Sequence, residues 1–201
     1  NDASANSALG LVYHQEGEYE QAEKLFLVAI ESGQNYTRGR SYYGAFLYSA
    51  ERHQEALDQF LIAANDTEYE GRSQIFSNIA LCYLKLDMKQ EAIDAYTKTL
   101  RLDRTNGRAL SGITELLIQI ENFDQAKNYY NRLVRLIGDQ GMQHSAQSLW
   151  LGMRIARHLG STQQEQTLAG LLNEMYPDSD ENMQAIELLN NQAIQLGGNI
   201  K

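Results

Sequence analysis

A single cysteine means that no disulfide can form within this chain. Cys82 lies among Ile79, Ala80, Leu81, Tyr83 and Leu84, a setting that reads as a small buried hydrophobe and not as a nucleophile. It leaves the compartment open, because a reduced cytosol and an oxidising space both suit a chain that needs no disulfide. Proline occurs once, at Pro177, which suits a largely helical protein. Basic residues are the minority, 17 against 26 acidic, for a formal charge of −9. That balance argues against nucleic acid as a partner, since such partners usually need a basic stripe. It also argues against adhesion to anionic lipid by charge alone. No apolar run approaches the ~18 residues of a membrane-crossing helix, and the first residues do not read as a secretory leader.

Catalytic patterns are missing as well. No two of His14, His53, His144 and His158 share a helix face at metal-ligand spacing, and none has a neighbouring cysteine. There is no phosphate-binding glycine loop and no G-x-S-x-G elbow. The expectation is a protein that is not an enzyme and holds no metal or cofactor.

What the chain does have is a spacing. Ala22, Ala56, Ala92 and Ala126 follow one another at intervals of about 34 residues, and each is followed four residues later by Phe26, Phe60, Tyr96 or Tyr130. A period of this length, built from two helical halves, indicates tetratricopeptide repeats. The predicted fold is all-α, a right-handed superhelix of such repeats in one solenoid over 1–201. Repeats are expected at about 3–36, 37–70, 73–106 and 107–140. In the first, Leu9, Gly10 and Tyr13 share one helical face, and Ala22, Phe26, Ala29 and Ile30 share another. Small residues at Gly10 and Ala22 let the two helices approach, and Phe26 fills the space above them. Turns are expected at 16–18, 51–53, 86–88 and 121–123. Thr99 and Thr114 stand where a small apolar residue is usual, and two extra residues near Thr67–Ser73 should lengthen one turn.

Past Ile137 the register weakens. Residues 138–141 read as a loop and Ser148–Leu159 as a helix. Thr162 with Glu165 resembles a capping box that opens a helix to about Tyr176. Together these make a degenerate fifth repeat over 146–179. A last helix, 180–196, carries Met183, Ile186, Leu189 and Ile194 and should cover the end of the array; residues 197–201 should fray. Most of the twelve tyrosines are expected in the core, filling gaps between helices.

In repeats of this kind the first helix of each pair lines the concave side. The inward positions are Ser4, Ser7, Leu11 and His14 in the first repeat, and Arg38, Ser41, Ala45 and Tyr48 in the second. They are Gln74, Ser77, Leu81 and Leu84 in the third, and Arg108, Ser111, Glu115 and Ile118 in the fourth. Leu11, His14, Arg38, Ser41, Tyr48, Gln74, Leu81, Leu84 and Arg108 are the candidate partner-binding residues. This trough could bury the apolar side chains of an extended or helical segment. The alternative for each position is packing against a neighbouring helix. A clamp for chaperone C-termini is not expected, because Ser7 and Leu11 stand where lysine and asparagine would be needed and Asn78 alone fits.

The stretch Tyr42-Tyr43-Gly44-Ala45-Phe46-Leu47-Tyr48 resembles the NYGxFLY stretch of the type IV pilus biogenesis lipoproteins of the PilF/PilW kind. Asp66-Thr67, Tyr69, Arg72-Ser73, Phe76 and Asn78 resemble that family's longer turn and next helix. Ser148–Ala156 resembles its SLxLGIRLA helix, and Leu172 to Ser179, with Tyr176-Pro177, its closing LxxxYPxS. The similarity covers roughly 5–185. The chain departs from the family at Glu70, where proline is frequent, and lacks the lipobox cysteine and first repeat, so a trimmed chain is expected. The resemblance implies a pilotin: a non-enzymatic lipoprotein on the periplasmic face of the outer membrane that helps the pilus secretin reach that membrane and form its ring. Membrane contact would come only through an N-terminal lipid anchor that this chain lacks. The competing expectation is a cytosolic repeat adaptor for a chaperone or regulatory peptide.

Overall fold

The structure, a computed structural model, describes residues 2–33 and 36–197, with side chains described as far as Asn191. Among the described residues there are eleven α-helices and no strand. They are α1 (Ala3–Gln15), α2 (Tyr19–Ser32), α3 (Thr37–Ser49), α4 (His53–Ala63), α5 (Arg72–Lys85) and α6 (Lys89–Leu102). They continue as α7 (Gly107–Gln119), α8 (Phe123–Asp139), α9 (Ala146–His158), α10 (Thr162–Met175) and α11 (Asp180–Gly197). The helices group into two compact units, Asn1–Ala109 and Leu110–Lys201.

In the first unit α1 packs on α2, α3 on α4 and α5 on α6. The pairs close because small residues face large ones. Ala22, Ala56 and Ala92 have no exposed surface, nor does Phe26. A β-carbon added at Gly10 would sit 3.0 Å from the Phe26 ring, and one at Gly44 2.9 Å from Phe60. The third pair uses buried Ala80 at the equivalent position and buried Tyr96 in place of phenylalanine. The second unit repeats the device in another place, where Gly152 of α9 lies against the Tyr130 hydroxyl of α8.

Inside each of the first four pairs the turn is the same. Gly17, Glu51, Asp87 and Glu121 all take positive φ, at 83°, 60°, 57° and 59°. The next amide closes a Schellman-type bond in each case: Glu18 to Tyr13 O, Arg52 to Leu47 O, Met88 to Tyr83 O and Asn122 to Leu117 O. Only the first of these turns has the residue that left-handed backbone favours. Glu51→Gly relieves a strain of about 1–2 kcal/mol, partly offset by the extra chain entropy of glycine. We expect a net gain of roughly 0.5–1 kcal/mol and a melting temperature about 2 °C higher by scanning calorimetry. No rise in melting temperature would contradict this account.

Thr99 and Thr114 are fully buried. Each hydroxyl donates to the carbonyl four residues earlier, Ala95 at 3.1 Å and Leu110 at 2.7 Å. This local bond lets a polar group stand where an alanine would. The lengthened connector between α4 and α5 is pinned at both ends. Thr37 Oγ1 donates to Asp66 Oδ2 at 2.6 Å, and Arg72 Nε donates to Ala64 O at 2.9 Å.

The second unit departs from expectation in two places. Thr162 and Glu165 form no capping box: Ser161 is the N-cap residue, without a side-chain cap bond. Glu165 is buried and accepts from Arg157 at 3.1 Å, so the opposite charge outcompetes the helix terminus. On α11, Met183 and Ile186 point outward, at 57% and 47% exposure. The covered face is Asn182, Ala185, Leu188 and Leu189, because Ala185 joins Leu149, Met153 and Leu172 in one cluster. The side chain of Ile194 and residues 198–201 lie outside the described residues. The family-like LxxxYPxS stretch is structural: Tyr176 donates to His144 O at 2.6 Å, and Ser179 Oγ accepts from the amide of Asn182.

The tyrosines overturn the core expectation. Tyr43, Tyr96 and Tyr130 are buried, whereas eight others are half-buried and Tyr19 is exposed. A phenol at the edge of a helix pair covers apolar surface with its ring and keeps its hydroxyl wet. Burial, above all, pushes each of the three buried phenols from 10.0 to about 12. For Tyr43 the bond that it donates to Glu23 Oε1 at 2.8 Å is part of that rise. Unfolded tyrosine ionises near 10. The folded state therefore favours the neutral phenol, and this contribution is complete below about pH 10 and lost as pH rises toward about 12. Melting temperatures measured from about pH 9 to 12 should hold and then fall above pH 10, in step with phenolate absorbance. A flat profile would mean that these rings open to solvent without unfolding.

Candidate partner-binding face

The first helices of the pairs in unit one are neighbours: α1 packs on α3, and α3 on α5. Their outward-facing side chains form one surface. Leu11 and His14 of α1, Ser41 and Tyr48 of α3, and Leu81 and Leu84 of α5 are half-buried, whereas Arg38, Gln74 and Arg108 are exposed. Half-burial is the state of a side chain that rests on a helical layer with one side open.

Several of these groups already have partners. His14 Nε2 lies 3.0 Å from Ser49 Oγ, and its ring meets Phe46 edge-on at 5.3 Å. The residue therefore bridges α1 and α3 as well as facing outward. Gln74 donates to Asn78 Oδ1 at 2.9 Å, a bond along one helix face. The Tyr48 ring lies 5.1 Å from that of His53. Tyr48 ionises above its ordinary range because of burial, with Cys82 adding to the rise and the Arg108 charge opposing it. Tyr48, Cys82 and Arg108 are therefore close in space although far apart in sequence. Cys82 itself is fully buried, and burial pushes its thiol up to about 12. It behaves as the hydrophobe that its apolar neighbours suggest.

Other inward positions turn out to be packing. Ser7 and Ser77 are fully buried, and neither hydroxyl has a hydrogen-bond partner. A β-carbon on Gly39 of α3 would lie 3.2 Å from Ser7 Oγ, so the small serine sets how closely α1 and α3 approach. In the second unit Ile118 is buried, and Glu115 is held by Arg154 at 2.7 Å. The contacts of His14 with Ser49 and Phe46 were not legible from the sequence. A residue near the end of one repeat's first helix meets residues 32 and 35 further on only once the layers stack.

Two family models, both described as Tetratricopeptide repeat, match residues 5–37 and residues 73–106. The type IV pilus assembly protein PilF of Pseudomonas aeruginosa is 30% identical over 179 residues, which span 89% of this chain and 69% of that protein. This chain belongs to the PilF family. The solved structure of Pseudomonas aeruginosa PilF superposes with a TM-score of 0.82 at 30% identity, over 91% of this chain and 80% of that one. PilW, a type IV pilus biogenesis factor, matches at a TM-score of 0.65 and 17% identity, over 92% of this chain and 98% of that one, and so shares the fold. As a PilF-family member, this chain is an all-α tetratricopeptide-repeat protein of type IV pilus biogenesis, from a family of protein-binding scaffolds. Against that background the NYGxFLY-like stretch divides into two roles. Tyr43, Gly44, Phe46 and Leu47 are buried and build the second pair, while Tyr42 and Tyr48 keep part of their surface open and Ala45 is exposed.

Proposed function

We propose that this PilF-family chain is the repeat body of a pilotin. Its concave face, built from α1, α3 and α5, takes up a segment of the pilus secretin. A lipid anchor encoded upstream would hold the body at the periplasmic face of the outer membrane and carry the bound secretin there. The observation that supports this most is the row of half-open apolar groups, Leu11, Tyr48, Leu81 and Leu84, on one layer of neighbouring helices. Such a layer is preformed. The partner segment orders on binding while the scaffold loses little entropy, and the entropy saved becomes affinity. Extended and helical segments both bind repeat surfaces in this way, with alternate apolar side chains seated and the rest exposed.

The test is co-purification of the full-length, lipidated protein from a piliated Gram-negative host. Enrichment of the secretin is the expected outcome. Enrichment of soluble chaperones or regulators without the secretin would replace this reading with that of a cytosolic adaptor.

A further inference from the structure

Away from the concave positions, unit one contains a recess of about 440 Å³ between the end of α4, the start of α5 and the last turns of α6. Its lining is unusual for a chain of net charge −9: it holds Arg72, Lys98 and Arg101 and no carboxylate. Among the described residues none of the three has a carboxylate within ion-pair distance. The apolar part is also open, with Leu61 at 41% exposure and Leu102 at 50%. Between them stands Phe76, whose ring is approached by two cations, Arg72 Cζ at 5.4 Å and Lys98 Nζ at 5.5 Å. Arg72 is held in place by its Nε bond to Ala64 O, at 2.9 Å.

The repeat does not require these charges. The equivalents of Lys98 and Arg101 are Val28 and Glu31 in the first repeat and Ile62 and Asn65 in the second; the fourth again carries arginines, Arg132 and Arg135. Three like charges line one recess, two of them against its aromatic ring; they repel one another and are not neutralised from within, so the arrangement favours an anionic occupant. The volume suits one large side chain with a short length of backbone.

We propose that this recess binds an acidic segment of a partner protein, which seats one large apolar side chain on Phe76, Leu61 and Leu102 and sets carboxylates against Arg72, Lys98 and Arg101. A protein segment fits better than a membrane surface. The cations surround a recess with an apolar floor, which lipid headgroups at the rim would leave unfilled, and the remaining surface is acidic and repels an anionic bilayer. The site is separate from the concave face, because none of its lining residues belongs to the inward positions of α1, α3 or α5.

The test uses a fluorescein-labelled probe peptide, Gly-Asp-Glu-Phe-Glu-Leu-Gly, with anisotropy for affinity and amide chemical shifts for location. Saturable binding is expected, weakening with salt, with shifts confined to the surroundings of Leu61, Phe76 and Leu102. Lys98→Glu with Arg101→Glu, both exposed positions, should weaken it at least tenfold. A peptide with lysine in place of its acids should not bind, and the Tyr48→Ala/Leu81→Glu protein should bind normally. Retained affinity in the charge-reversed protein would overturn the proposal, as would loss of binding in the Tyr48/Leu81 variant. So would absence of peptide binding, whether or not vesicles of phosphatidylcholine and phosphatidylglycerol bind instead.

Discussion

Ala92→Glu should abolish cooperative folding of the α5–α6 pair. Ala92 has no exposed surface, and it lies in α6, which packs along α5. Glutamate there must either bury its charge or protonate, and its extra atoms must also displace packed neighbours. Neutralising a buried carboxylate and overpacking a closed contact each cost a few kcal/mol, so the sum is about 5 kcal/mol. Domains of this size are stable by only about 5–15 kcal/mol in total. Circular dichroism should show lost helix and a broadened melt, because a repeat that opens deprives its neighbour of a packing surface. The adjacent, exposed Glu91→Ala is the control and should shift stability by less than about 0.5 kcal/mol. An unchanged melt in Ala92→Glu would mean that the two helices are not closely packed at this point.

Tyr48→Ala combined with Leu81→Glu should do the opposite, sparing the fold and removing the partner. Both side chains are half-buried and keep part of their surface open. The first change removes a large ring that is preorganised beside His53, and the second sets a charge where an apolar side chain should land. Truncating a central aromatic in an interface costs about 2 kcal/mol or more, so affinity for the secretin segment proposed above should fall at least about thirtyfold. Helix content and melting temperature should stay near those of the parent. If the variant melts early, the two residues belong to the core and the concave assignment is wrong. If it folds and still binds the secretin, the partner uses another face.

The periodic features were legible because they are local. Gly10 opposite Phe26 and Gly44 opposite Phe60 follow from helical phase and from the size of the side chains. Burial of the inward serines was not legible. Ser7, Ser41, Ser77 and Ser111 occupy the same repeat position, yet Ser7 and Ser77 are fully buried and the other two are half-open. Ser7 is covered by Gly39 of the next first helix, a contact that a single repeat does not encode. Glu165 misled for a related reason. A capping pattern is a local possibility, and Arg157, eight residues earlier, offers a stronger bond once the helices fold together. On α11 the apolar residues Met183 and Ile186 suggested one phase, but small Ala185 fitted the space beside Leu149 and Met153. The cations around Phe76 were visible as residues but not as a group, because they come from the start of one helix and the end of the next.

The recurring left-handed turn has a consequence for how such chains diversify. The joints within the first four pairs share one backbone geometry, with the same closing bond, whatever residue occupies the position. The joint between α4 and α5 instead spans residues 64–71 and absorbs the two additional residues of the second repeat. Lengthening a surface connection costs little entropy, about 0.6 kcal/mol per doubling. Evolution can therefore treat the pair as a fixed cassette and the inter-pair joint as the editable splice. New sequence entering at 67–70 would leave both adjoining helix pairs intact while giving the array a new projecting edge.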